Sequence, residues 1–154
     1  MRRPVGVVQR ILQLPRSDWA LLVDALFSLT LARIVIVVLP FREVGRLASR
    51  PVRGRESPEQ SRASRSRRIR WAVLACSPRV PWRAMCFEQG LAAHLMLRRR
   101  GIPSVLYYGA APDDLKGLSA HVWVRDGDVD VMGCEVASRF AALAIFPPLE
   151  LGSD

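Results

Sequence analysis

The chain has 154 residues, enough for one domain with a buried core, and half of them are hydrophobic. Lys and Arg number 23 against 14 acidic residues, a formal charge of +9, so an acidic peptide, a nucleic acid or an anionic membrane would suit it as a partner. Three cysteines without a CxxC pair, and an N-terminus without an apolar run and small-residue cleavage site, exclude a disulfide scaffold and a secretory signal; free thiols in the cytoplasm are expected.

Residues 18–41, "DWALLVDALFSLTLARIVIVVLPF", are the most hydrophobic stretch. Asp18 reads as an N-cap and Pro40 as the stop. Asp24 and Arg33 lie nine residues apart, so at about 100° per residue they leave opposite sides of a helix and no single polar face survives. The run could span a bilayer, but Arg33 inside it costs roughly 2.5–3.5 kcal/mol on insertion scales. Burial against the domain or a partner protein is therefore expected, with peripheral membrane contact through residues 18–41 as the alternative. Residues 1–47 form one expected unit, an apolar N-terminal helical segment.

The composition changes abruptly at residues 48–70, which hold eight Arg and two Glu among Ser, Pro and Gly. This pattern predicts a solvated linker running into the basic start of a helix, with an electrostatic docking surface as the sharper reading. Aromatics do not interleave with the Arg, so no nucleic-acid partner is expected. Residues 71–154 then form the expected core. Ile69, Val73 and Cys76 recur at helical spacing, "SPRVPW" breaks the chain, and a second helix runs from about Met85 to Arg100, stopped by Gly101 and Pro103. "SVLYYG" (104–109) and "SAHVWVR" (119–125) read as strands around a loop. "DG" at 126–127 signals a hairpin to a returning strand at 128–133. The tail reads as a short helix or loop. The class is α+β: a central Cys-bearing helix on a small antiparallel sheet, after a long apolar N-terminal helix.

Cys86 falls in the first turn of the second helix, where backbone N–H groups and the macrodipole favour a thiolate. A thiolate needs a base. His94 is eight residues further along the same helix, about 12 Å up the axis, and is expected at the surface or the core edge. His121, at the start of the second strand, is the reachable one. With a two-residue turn at 126–127, Arg125 pairs with Asp128, Val124 with Val129 and Trp123 with Asp130. Asp130 then lies diagonally across from His121, close enough to orient its imidazole. Cys86, His121 and Asp130 would form a thiol-protease triad. The bland alternative is a packing cysteine, a hydrogen-bonded strand histidine and ordinary hairpin carboxylates. A zinc site from Cys76, Cys86, Cys134 and His121 has no metal-type cysteine spacing, so neither a metal nor a cofactor is expected.

The blocks "PWRAMCFEQGLAAHLMLRRRGIPSVLYYG", "AHVWVRDGDVDVMG" and "RFAALAIF" resemble the leader-peptidase part of lasso-peptide biosynthesis B proteins, within the transglutaminase-like superfamily. The resemblance covers residues 65–147, with the apolar segment ending "LPF" matching more loosely. It implies a papain-like or transglutaminase-like fold and a Cys-His-Asp cysteine peptidase that removes the leader from a ribosomally made precursor peptide. The expected partners are that precursor, a separate leader-recognition protein and an ATP-using lasso cyclase. Carried over residue by residue, Cys86 matches the nucleophile and His121 the base. The family acid often falls near "MGC" (132–134), where this chain has no Asp. Asp130 is then the choice, Glu135 the fallback and a backbone carbonyl the third possibility. A non-catalytic scaffold for the same assembly, and an amidase or acyltransferase on the same Cys-His framework, are the competing readings.

Overall fold

The apolar run of residues 18–41 divides at Pro40. In the computed structural model, which describes residues 13–52 and 58–149, helix α1 (Arg16–Val38) ends where proline cannot continue it, and α2 (Phe41–Ala48) starts afresh. One stripe of α1, formed by Leu21, Ala25, Leu29, Ala32 and Val35, is buried in the core. The two charges inside the run, Asp24 and Arg33, are both paired. Asp24 accepts from Arg99 at 2.7 Å and from Arg100 at 2.6 Å, and Arg33 meets Glu88 at 3.0 Å.

Residues 53–57, in the middle of the Arg-rich stretch, lie outside the described residues. Beyond them helix α3 (Glu59–Cys76) takes up the rest of the stretch, where the basic start of a helix was expected, and buries Ile69, Val73 and Cys76. Its arginines bind the protein to itself. Arg62 pairs with the buried Asp126, Arg68 reaches Asp18 at 2.5 Å, and Arg70 donates to the Val131 carbonyl at 2.9 Å and pairs with Glu135. After a short 3₁₀ turn (Ser77–Arg79), α4 (Cys86–Arg99) closes the helical set. It ends on paired hydrogen bonds, Gly101 N–H to Arg98 and Ile102 N–H to Leu97, the mark of a glycine-stopped C-terminus.

The sheet is antiparallel, with β1 (Val105–Asp113), β2 (Gly117–Asp126), β3 (Val129–Met132) and β4 (Ala141–Phe146) in the order β3-β2-β1-β4. β1 and β2 run longer than expected, joined by a turn in which Asp113 Oδ1 accepts from the N–H groups of Leu115 and Lys116 at 2.9 and 3.0 Å. The tail expected as a short helix or loop is a 3₁₀ turn (Cys134–Arg139) followed by the edge strand β4. A six-residue apolar run does not distinguish helix from strand by period; pairing with β1 decides it.

Helix α4 lies against β2 and β1, α3 touches β3, α2 touches β4, and α1 stacks on α4 and α3. Among the described residues α1, α2, α3, α4 and the sheet all contribute to one hydrophobic core.

Candidate active site

Cys86 is the first residue of α4, half-buried, with Met85 as N-cap. Two contacts fix that helix head. Glu88, buried, reaches back to the Met85 N–H at 3.1 Å while its other oxygen holds Arg33 of α1. Phe87 joins a ring cluster, 5.9 Å from Tyr108 and 6.2 Å from Phe41, that ties the head to β1 and α2. One turn on, Gly90 lets the helix approach β2 so closely that a Cβ there would stand 2.6 Å from Val122 Cγ1.

The three thiols differ. Cys76 Sγ donates to the Leu22 carbonyl at 3.5 Å and Cys134 Sγ to the Val124 carbonyl at 3.2 Å, and burial pushes both thiols up from the ordinary cysteine range. Cys86 has no such internal partner among the described residues. Beside its helix head is a cavity of about 430 Å³, lined by Trp82, Arg83, Ala84 and Gln89 among others. The buried indole N–H of Trp82 has no partner among the described residues.

His121 pairs with Gly109 in the β1–β2 ladder. Its Nε2 donates to the Gly133 carbonyl at 2.7 Å, which fixes the neutral ring with its proton on Nε2 and leaves Nδ1 as the basic nitrogen. Phe140 stacks on the ring at 5.0 Å and Trp123 lies 6.2 Å away. Gly133 is required here by two measures: its φ is +71°, and a Cβ would meet the Val122 carbonyl oxygen at 2.5 Å.

The structure does not bring Asp130 to His121. Asp126, not Arg125, closes the hairpin opposite Val129, and a bulge beside Val124 shifts the rest. Asp130 therefore faces Arg125, four residues and about 13 Å along the strand from His121, and pairs with it at 3.0 Å. Glu135 is nearer but committed elsewhere. Its own backbone N–H and then Arg70 hold its carboxyl below the usual range, with the His121 charge the smallest influence. The group that orients the imidazole is the Gly133 backbone carbonyl.

Nor does the structure join Cys86 to His121. Val122 faces α4, so strand alternation turns His121 and Trp123 to the other side of the sheet, where Tyr107 and Phe140 cover them. Among the described residues no hydrogen bond links the two side chains. His94, expected at the surface or core edge, is wholly buried. It bonds through Nδ1 to Ser104 at 2.9 Å and through Nε2 to the Ala48 carbonyl at 2.8 Å, out of reach of Cys86. No cluster of three or more His, Cys, Asp or Glu side chains suited to a metal occurs among the described residues.

The sequence profile of the transglutaminase-like superfamily matches residues 25–144, a span that takes in most of α1 as well as the sheet. Comparison with curated proteins and with solved structures finds no match.

Proposed function

Because the chain belongs to the transglutaminase-like superfamily, we propose that it is a cysteine peptidase that removes the leader from a lasso-peptide precursor, with Cys86 as nucleophile and His121 as base. Leader-binding protein and cyclase would act beside it. The observation that carries the reading is the state of His121: its Nε2 proton is committed to Gly133, so Nδ1 is free to take a proton from a thiol. Cys86 supports it as the thiol at the head of an α-helix that, among the described residues, has no hydrogen-bond partner, whereas Cys76 and Cys134 donate to backbone carbonyls.

In this mechanism His121 Nδ1 takes the Cys86 proton and the thiolate attacks the carbonyl carbon of the last leader residue. The first-turn N–H groups of α4 stabilise the oxyanion. The imidazolium protonates the departing core amine, leaving a leader thioester on Cys86. Water, deprotonated by His121, cleaves the thioester and restores the thiol. The free donor of Trp82 and the cavity beside it suit a carbonyl of the leader backbone. Thiol and imidazole are not in contact in this structure, so the reading requires that substrate binding bring them together.

One observation favours a second reading, a scaffold without chemistry: the separation of Cys86 and His121 to opposite sides of β2. Incubating the full chain with precursor and leader-binding protein, and weighing the products, separates the two. A peptidase yields free leader and core, and loses this with Cys86→Ala. A scaffold gives the same products with either form. A leader mass retaining an added nucleophile in place of water would identify an acyltransferase.

A further inference from the structure

The core stripe of α1 accounts for one side of the helix only. The opposite side is mostly apolar and exposed: Trp19, Val23, Leu26, Phe27, Ile34 and Val37 line it, Phe27 at 61% and Val37 at 64% exposure, with Thr30, its hydroxyl donating to the Leu26 carbonyl, midway and Arg33 at its edge. A helix of 23 residues is about 35 Å long, so the strip is far larger than the scattered apolar residues of an ordinary surface. The helix cannot cross a bilayer while this fold persists. Spanning would take Leu29 and Ala32 out of the core and break the pairs of Asp24 with Arg99 and Arg100 and of Arg33 with Glu88. An exposed apolar side on a helix pinned along its other side suits a surface that the protein lies upon.

The charges around the strip identify that surface. Arg16 at one end and Arg42 at the other are exposed and make no ion pair among the described residues, and the acidic groups nearest the helix, Asp18, Asp24 and Glu43, are each paired with an arginine. Leu31, adjacent on the helix to Phe27 and Ile34, forms with Leu47 and Leu95 the apolar floor of a groove of about 790 Å³ whose rim carries Arg50, Arg98 and Arg99. Among the described residues the Arg98 guanidinium hydrogen-bonds to backbone carbonyls alone, those of Arg50 and Ser104. An apolar floor under a cationic rim fits an acyl chain with an anionic headgroup. A second copy docked antiparallel on the same strip would set Arg16 against Arg42 with no carboxylate between them.

We propose that the outer side of α1 and the adjoining Arg-rimmed groove dock the protein, in plane, on an anionic membrane surface. The proposal stands independently of the chemistry at Cys86. Full-length protein is mixed with sedimentable vesicles of phosphatidylcholine alone or with about 30% phosphatidylglycerol, the anionic fraction being a choice of probe. Binding to the anionic vesicles is expected, weakened by salt, and about fivefold weaker for Arg42→Gln. The double variant Val23→Glu/Ile34→Glu, at exposed positions, should keep the helical circular-dichroism spectrum and lose more than about tenfold in binding. Equal affinity for both vesicle types, retention of binding by the folded double variant, or a concentration-dependent dimer that the double variant abolishes would each overturn it.

Discussion

His121 donates from Nε2 to the Gly133 carbonyl across 2.7 Å, the place where a carboxylate would stand in a thiol-protease triad. A backbone carbonyl selects the tautomer without adding a charge. The imidazolium formed during catalysis would be less stabilised than beside Asp.

Gly133→Ala tests that relationship. Alanine must adopt φ near +71° and places its Cβ 2.5 Å from the Val122 carbonyl and 3.1 Å from His121 Nε2. A loss of about 1–3 kcal/mol in stability is expected, with a larger loss of leader removal. Thermal unfolding beside product mass spectra checks both; unchanged activity at lowered stability would show that Gly133 serves the fold alone.

Asp130→Asn should alter neither quantity appreciably. The carboxylate is 61% exposed and its one ion pair among the described residues is with Arg125, an exchange worth less than about 1 kcal/mol at a surface. Glu135→Gln removes the Arg70 contact, yet His121 keeps its Gly133 bond, so leader removal should persist within about threefold. A tenfold or greater loss in either variant would return the orienting role to a carboxylate.

Gly90→Ala drives a methyl to 2.6 Å from Val122 Cγ1, the stiff branch of a β-branched side chain held in the sheet. Overpacking of this kind costs typically 1–3 kcal/mol. Denaturant unfolding should show a lowered midpoint, and Gly90→Ala/Val122→Ala should recover most of it.

His94 makes stability depend on pH. Burial holds its pKa at about 4, against 6.5 for the free side chain. The unfolded chain therefore binds the proton first as pH falls, so this stabilisation is complete above about 6.5 and is lost progressively between 6.5 and 4. At about 1.36 kcal/mol per unit it amounts to ~3 kcal/mol. Melting temperature should fall across that window, and His94→Gln should flatten the slope while lowering stability at neutral pH, since Ser104 and the Ala48 carbonyl lose a matched partner.

Periodicity revealed the helices and the hairpin because burial repeats along them, and Gly101, Pro40 and Gly127 marked their ends. Pairing between distant residues was not legible. Arg62, Arg68 and Arg70 read as linker charges because Asp126, Asp18 and Glu135, which hold them, lie far off in sequence. The hairpin register slipped for a similar reason. "DG" allows more than one turn, and the bulge beside Val124 leaves no mark in composition. His94 looked peripheral since nothing in its neighbourhood announces a buried bond to Ser104 and Ala48. Cys86 at a helix head was legible; the side of β2 that His121 occupies depended on Gly90 and Val122, whose contact only the fold defines.

The pairing of Cys86 with His121 is tested most directly by alkylation of Cys86 with iodoacetamide at neutral pH while the leader peptide and the leader-binding protein are bound, followed peptide by peptide so that Cys76 and Cys134 are counted apart. The account predicts that, in this complex, Cys86 of the wild type reacts more than about tenfold faster than Cys86 of His121→Ala. Equal rates in the two forms would contradict it.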